Sequence, residues 1–139
     1  MKKLVLAVIL LVSSGAFAQA DKMPPGLEIP DNMKQYFVAF FIEDAKAPEK
    51  QPDPETMKAH LSTIRTNIES GKYILAGPFL DHERIGGMFI VNASNKDEAM
   101  QLVSADPVVK KGLVTVEVHP AMFPDLSSLK ITYPPKQPK

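Results

Sequence analysis

Apolar residues in the middle of the chain follow two different periods, and each period predicts one kind of element. Between residues 35 and 43, apolar side chains occupy both faces of a two-residue repeat, which predicts a β-strand buried on both sides. The next segment begins with Asp53-Pro54, a strong helix-start signal, and ends at Gly71, a frequent helix end. Its apolar residues recur at helical spacing, and they are Met57, Leu61, Ile64 and Ile68. This segment is therefore predicted to be an amphipathic helix.

The rest of the pattern completes a β-α-β-β-α-β order. Two further apolar stretches predict strands at 73–79 and 87–93, separated by a polar loop. A cap at Asn95 starts a short helix, Asp106 repeats the helix-start signal, and alternation over 113–119 predicts the last strand. The predicted fold class is α+β, with a ferredoxin-like arrangement in which the helices cover one face of the sheet.

The first three strands are apolar on both faces, whereas the helices can cover only one face. A large apolar sheet surface left in water marks an association site, so we expect a second copy to pack sheet to sheet and form a homodimer. Phe37 and Phe41 are expected on that interface, where a charged replacement would dissociate or unfold the protein. The alternative cover is the C-terminal tail, which is short and proline-rich.

The two ends of the chain differ in composition from the predicted domain. Lys2 and Lys3, an apolar run and small residues up to Ala20 form the pattern of a secretory signal peptide. The apolar run is shorter than the roughly 20 residues that span a membrane. Cleavage is expected after Ala18 or Ala20, giving a periplasmic or secreted protein with no membrane attachment. The predicted divisions are a signal peptide at 1–20, a proline-rich N-terminal arm at 21–34, the domain at 35–120 and a proline-rich C-terminal tail at 121–139.

Charge and composition exclude several classes of function. The chain has 16 basic and 16 acidic residues, and loss of the two leader lysines leaves it slightly acidic, so no nucleic-acid partner is expected. It has no cysteine, which excludes disulfides, zinc-thiolate sites and a thiol nucleophile. His60, His82 and His119 show no metal-ligand spacing, and no phosphate-binding glycine motif is present. Neither a metal nor a cofactor is expected.

His60 is the strongest candidate for chemistry on the predicted first helix. It lies three residues after Met57 and four before Ile64, which places it at the edge of the apolar stripe, half-buried. An imidazole there can act as general acid or base near neutral pH. The alternative is a border histidine bonded to a backbone carbonyl. From the residues alone, both interpretations stay open.

The end of the second predicted strand is the other candidate region. Pro78 cannot donate to a β-ladder, so the strand must break or lie at an edge there, and Gly77 allows another backbone or a ligand to come close. Phe79 either lines a pocket or fills the core. Asp81 follows in the loop, where it is either a partner for His60 or a solvated residue.

Three sequence features in this order resemble the YciI-like, or YCII-related, family of small α+β proteins: His60-Leu61 on a helix, GKYILAGPF at 71–79 and Ala-Asp-Pro at 105–107. The resemblance covers about residues 35–120 and implies membership of the dimeric α/β-barrel group. It also implies a site in which a histidine of the first helix pairs with an aspartate. His60 and Asp106 match these positions and are the expected catalytic pair. The expected substrate-binding residues are Gly77, Pro78, Phe79 and Asp81.

Two classes of function follow. The resemblance suggests an enzyme without a cofactor that catalyses isomerisation, elimination or dehydrochlorination of a small ring compound. Its acid or base is His60, oriented by Asp106, although Asp106 has the alternative role of a helix cap. The other class is a non-catalytic periplasmic module that binds a ligand or responds to stress. An enzyme requires His60 to open into a concave pocket with a carboxylate within hydrogen-bond reach.

Overall fold

A computed structural model describes residues 30–43, 51–81 and 83–131 of the chain. The elements in these ranges follow the predicted order, and they are β1 (Met33–Glu43), α1 (Pro54–Glu69), β2 (Tyr73–Pro78), β3 (Ile85–Val91), α2 (Lys96–Ser104), α3 (Pro107–Lys110) and β4 (Val114–Pro124). The predicted signal peptide, most of the N-terminal arm, His82 and the last eight residues lie outside the described residues. None of the helices in the described ranges is both long and apolar enough to cross a membrane.

The four strands form one antiparallel sheet in the order β2-β3-β1-β4. This is the α+β, ferredoxin-like arrangement predicted from the sequence. The last strand is longer than predicted, because β4 pairs with β1 from Val114 opposite Glu43 to Pro124 opposite Met33. Pro120 therefore lies within a strand, although the sequence pattern predicts the end of the domain there. An edge strand tolerates proline because one side of its backbone needs no partner, and β4 is an edge strand.

All three helices pack against one face of the sheet. The core on that face combines strand residues with residues of each helix, and it includes Phe37, Phe41, Phe89, Ile64, Val103 and Val108. Phe37 and Phe41 are thus buried in the core of a single chain, so the prediction that they lie on an intersubunit surface is wrong. Because β1 is apolar on both sides, its period alone does not show which side the helices cover.

The opposite face of the sheet carries the other side chains of β1. Tyr36 is fully buried there: its hydroxyl donates to Asp125 Oδ1 at 3.2 Å and accepts from the Leu126 amide at 2.9 Å. The Asp125 amide donates to the Asn32 carbonyl at 2.8 Å. The segment after β4 therefore folds back over the start of β1, so part of the C-terminal tail covers one end of this face.

Candidate functional site

A cavity of about 440 Å³ lies between the first half of α1 and the sheet. This volume is in the range of small-molecule sites. Most of the side chains that line it are apolar, among them Phe41, Met57, Leu61, Pro78 and Phe89. The polar side chains that line it are His60, Glu43 and Gln51. The cavity is therefore suited to a small, largely apolar molecule with few polar groups.

The N-terminal half of α1 faces this cavity rather than the core. Ile64 is buried as the helical period predicts, but Met57 and Leu61 are 38 % and 56 % exposed and both line the cavity. The N-terminal half of the predicted apolar stripe thus forms part of the cavity wall, and its C-terminal half packs in the core. Helical period identifies the apolar side of a helix, but it does not distinguish a packed core from an open pocket.

His60 lies on this part of α1, with its side chain 15 % exposed. Its ring packs near Phe41, with 6.1 Å between the ring centroids, and Phe41 in turn stacks on Phe89 at 4.4 Å. The Nδ1 atom lies 2.9 Å from Asp106 Oδ1 and 2.8 Å from Asp106 Oδ2. The residue is therefore half-buried, as its position on the helix predicts, and it contacts a carboxylate rather than a backbone carbonyl.

Asp106 is completely buried and has two partners. It caps α3, because its Oδ1 accepts from the Val108 amide at 3.0 Å, and both of its oxygens approach His60. The two roles considered for Asp106 are thus compatible. An ionised carboxylate only accepts hydrogen bonds, so it favours the imidazole tautomer that carries its hydrogen on Nδ1. The other ring nitrogen, Nε2, is then a hydrogen-bond acceptor.

A second polar contact holds the same two helices together. The Lys111 ammonium, at the end of α3, donates to Asp53 Oδ2 at 3.1 Å and to the Thr56 hydroxyl at the start of α1. Thr56 is buried and lies one helical turn before His60. Hydrogen bonds from Thr56 and Lys111 hold the pKa of Asp53 well below its ordinary value. These contacts fix the helix that carries His60 against the helix that begins at Asp106.

Tyr73 is a buried polar residue near the pair that the sequence did not single out. Its hydroxyl donates to the Leu102 carbonyl at 3.4 Å. The pKa of Tyr73 is raised above its ordinary value, mainly because the side chain is buried and also because the negative charge of Asp106 lies nearby. Tyr73 therefore stays protonated and responds to the charge of Asp106.

Two of the four predicted substrate-binding residues reach the cavity. Gly77 and Pro78 line it, whereas Phe79 and Asp81 are outside its lining. Phe79 follows the last residue of β2 and is 37 % exposed. Asp81 is an exposed loop residue whose Oδ1 accepts from the Glu83 amide at 3.3 Å, so Asp106 and not Asp81 is the partner of His60.

The sequence predicts a close backbone approach at Gly77, but the residue that needs the space is Gly87, its neighbour on β3. A Cβ atom at Gly77 would meet nothing within 4 Å, but one at Gly87 would lie 3.0 Å from the Gly77 carbonyl oxygen. A side chain at position 87 would therefore crowd the Gly77 carbonyl, where the two strands come close. The sequence shows two adjacent glycines there, but not which strand lies against them.

Glu43 is a cavity residue that the sequence analysis missed. It is the last residue of β1, where a polar residue is typical of a strand end. The two-residue period places it on the same face as Phe41, and both line the cavity. That period is the signal that would have identified Glu43. Within the described ranges, the histidine and acidic side chains form no group of three that could hold a metal ion.

The sequence model of the YCII-related domain family matches residues 36–121 of the chain. The match begins in β1 and ends in β4, so it spans the sheet, the three helices and the cavity. One similar solved structure is 5-chloro-2-hydroxyhydroquinone dehydrochlorinase from Burkholderia phenoliruptrix AC1100, in complex with 2,5-dihydroxybenzoquinone. It is 24 % identical over 60 % of this chain and 90 % of that chain, with a TM-score of 0.48. No curated protein is similar enough to this chain to be a significant match.

Proposed function

Since this chain belongs to the YCII-related domain family, we propose that its cavity is the active site of an enzyme that acts on a small molecule without a cofactor. The observation that carries the proposal is the contact between His60 Nδ1 and the Asp106 carboxylate at 2.8 Å, beside a largely apolar cavity. A titratable group that lines a cavity and is oriented by a buried carboxylate is the usual arrangement of a general acid or base.

In this proposal Nε2 of His60 exchanges the proton with the substrate. Asp106 keeps the hydrogen on Nδ1, so the lone pair of Nε2 is available to remove a proton. Once the ring is protonated, the adjacent carboxylate stabilises its positive charge, as in catalytic triads. Asp106 is held in turn by the Val108 amide, which keeps the carboxylate fixed while the imidazole changes charge.

The reaction classes that fit are isomerisation and elimination. In an isomerisation, Nε2 takes a proton from one atom of the substrate and returns it to another. In an elimination, Nε2 takes the proton, the electron pair of the broken bond forms a new double bond, and the leaving group departs with its own electron pair. Both reactions need one proton acceptor and no oxidant or reductant. The apolar lining favours a substrate with a ring or another compact hydrocarbon body.

His60→Gln tests the catalytic role. Glutamine can keep a hydrogen bond to Asp106 but cannot take up a proton, so turnover should fall by about 10²–10⁴-fold, the usual contribution of general acid–base catalysis. A thermal-shift screen of small ring compounds on the unmodified protein would first identify ligands, and turnover of each ligand would then be measured on both proteins. Unchanged turnover in a folded His60→Gln protein would refute the catalytic role.

A ligand-binding module without catalysis is the second candidate. The partial exposure of Met57 and Leu61 at the cavity favours it, because such a wall offers apolar contact without a reacting group. In that case compounds would bind and remain unchanged, and His60→Gln would alter neither their affinity nor their fate. Product analysis after incubation separates the two candidates.

Export and pairing of two copies are further proposals. The leader pattern at residues 1–20 supports cleavage and export, so the mature protein should begin at Gln19 or Asp21, and its intact mass would show this. Phe40, a partly exposed apolar residue of β1 on the face away from the helices, supports a homodimer through that face. Light scattering on the mature protein would give its mass, and a stable monomer would exclude the dimer.

A further inference from the structure

We propose that Glu43 is a ligand-binding residue of the cavity and that it selects molecules carrying a hydrogen-bond donor or a positive charge. The proposal rests on the proposed function only in assuming that the cavity binds a small molecule. It adds a second polar contact to the site, provided by a carboxylate on a different element from the His60–Asp106 pair. It therefore defines the chemical class of the ligand.

The backbone of Glu43 is fixed at the end of β1. Its amide donates to the Arg84 carbonyl at 2.9 Å, and its side chain lies on the cavity face. Arg84 itself pairs with Glu117, a residue that lies opposite Phe40 and so on the other face of the sheet. The Arg84 side chain therefore pairs with a carboxylate on the other face of the sheet.

A bulge in β3 makes room for the Glu43 side chain. Phe41 pairs with Gly87 and Ile42 pairs with Ile85, so Gly86 is an extra residue without a partner on β1. A Cβ atom at Gly86 would lie 2.5 Å from Glu43 Oε1 and 3.1 Å from its Cγ. The carboxylate therefore lies directly against the Gly86 backbone, in a position that a larger residue would fill.

The bulge is held in place from the other side as well. The Gly86 carbonyl accepts from the amide of Phe79, the residue after β2, at 3.1 Å. Gly86 is thus fixed by the chain that follows β2, while Glu43 lies over it from β1. Bulges often lie next to functional sites, and here the bulged residue has no side chain, so the Glu43 carboxylate occupies the space over its backbone at the cavity.

His60 is the one basic side chain among the described residues that line the cavity with Glu43, and it pairs with Asp106. Among the described residues that line the cavity there is no lysine or arginine, and Glu43 is the sole carboxylate. An ionised carboxylate accepts hydrogen bonds and repels anions. Glu43 is an exposed residue at the cavity, so solvent screens part of this effect. A ligand with a hydroxyl, amine or amidinium group directed at Glu43 is favoured, whereas a carboxylate or phosphate there is disfavoured.

Three benzene derivatives of nearly the same shape test this charge preference. Benzamidinium is a cation, benzamide is neutral and benzoate is an anion at neutral pH. Their affinities would be measured by NMR titration of the unmodified protein, following the cavity-lining resonances. We expect benzamidinium to bind at least about tenfold more tightly than benzoate, because a hydrogen bond to a charged group contributes that much or more.

Two variants remove the carboxylate from its place in different ways. Glu43→Gln removes the charge but keeps the shape, and Gly86→Ala places a methyl group where the carboxylate lies. Both should bring the ratio of benzamidinium to benzoate affinity close to one, and benzamide, which offers only a neutral donor, should lose less affinity than benzamidinium. Glu69→Gln, which makes the same change in net charge at the far end of α1, should keep the ratio of the unmodified protein.

The neutral probe separates failure of this proposal from failure of the proposed function. If benzamide binds in the cavity but benzamidinium has no advantage over benzoate, the role of Glu43 is refuted and the cavity remains a binding site. If the advantage persists in Glu43→Gln, the selecting group is another residue and the proposal is also refuted. If none of the three probes perturbs the cavity resonances, both the proposal and the small-molecule site are refuted.

Discussion

Two helices of this domain begin with the same dipeptide, and their aspartates have opposite surroundings. Asp53-Pro54 starts α1 and Asp106-Pro107 starts α3, and each aspartate accepts a hydrogen bond from a backbone amide of its own first turn. The Asp53 side chain is 53 % exposed and pairs with Lys111. The Asp106 side chain is fully buried and pairs with His60. The local sequence thus determines the cap, whereas burial and the distant partner determine what else the carboxylate does.

The two aspartates are also linked through α3. Asp106 caps the start of this short helix and Lys111 caps its end, and their partners His60 and Asp53 both belong to α1 or its cap. The contact between His60 and Asp106 is largely buried, whereas the contact between Asp53 and Lys111 is largely exposed to water. The two contacts therefore differ in strength although they join the same elements. Substitutions at the two aspartates can therefore be compared directly.

The largest difference is expected for alanine at each position. Asp106→Ala removes a cap, worth about 1 kcal/mol, and leaves the His60 donor without its partner in a buried place, which costs about 1–3 kcal/mol. We expect the free energy of unfolding to fall by about 2–4 kcal/mol. Asp53→Ala removes an exposed cap and a solvent-screened ion pair and should cost clearly less. Urea denaturation of both variants measures this, and equal losses would contradict the comparison.

Asparagine at the same positions separates charge from capping. Asparagine caps a helix about as well as aspartate, so Asp106→Asn should fold normally. It lacks the charge that favours the hydrogen on Nδ1 of His60, and its amide group can instead donate to that nitrogen.

The His60 tautomer reports this change. We expect nitrogen–proton correlation NMR of the imidazole to show the Nδ1–H tautomer in the unmodified protein and in Asp53→Asn, and a larger Nε2–H fraction in Asp106→Asn. The same tautomer in all three proteins would show that Asp106 does not orient the ring.

Tyr73 gives an independent measure of the Asp106 charge. Burial is the larger cause of its raised pKa, and the charge of Asp106 is the second. Asp106→Asn should therefore lower the pKa of Tyr73 while leaving it above the ordinary value, and Asp53→Asn should leave it unchanged. Because the folded-state pKa is raised, the protein loses stability as the pH rises above the ordinary tyrosine value. Ultraviolet titration of tyrosinate measures the shift, and an equal shift in both variants would count against a specific Asp106 effect.

The smallest effect is expected from Asp53 at acidic pH. Its pKa is lowered by its bonds to Thr56 and Lys111, so it contributes stability above its ordinary pKa and loses that contribution as the pH falls through the folded-state value. The melting temperatures of the unmodified protein and Asp53→Asn should converge as the solution becomes more acidic. The difference should be small because the carboxylate is exposed and screened by salt. A difference in melting temperature that grows towards low pH would contradict this prediction.

Local signals were sufficient to predict the elements and to single out His60, whereas its pairing with Asp106 was implied by the family resemblance. The order of strands and helices follows from apolar period and from caps such as Asp53, Asn95 and Asp106, which act within a few residues. The place of His60 beside the apolar stripe indicates a titratable group at the helix edge, and the Ala-Asp-Pro resemblance indicates Asp106. The two residues are 46 positions apart in the sequence, and their side chains are in contact in the fold.

Features that depend on distant contacts were not predictable in this way. Phe37 and Phe41 face the helices because of how the sheet packs, and β1 is apolar enough on both sides to allow either orientation. Lys111 carries no local sign that it binds Asp53, which lies 58 positions away. The period of β1 gives the face of Glu43, but the space that its side chain occupies over Gly86 depends on the register between β1 and β3.

The prolines of the outer strands have a consequence for solubility. The edges of the sheet are β2 and β4, and they contain Pro78 on one side and Pro120 and Pro124 on the other. An exposed edge can recruit a strand from another molecule and so begin aggregation, and a residue without an N–H interrupts the row of donors that the incoming strand needs. We therefore expect either edge of this sheet to accept a further strand less readily than an edge without proline would.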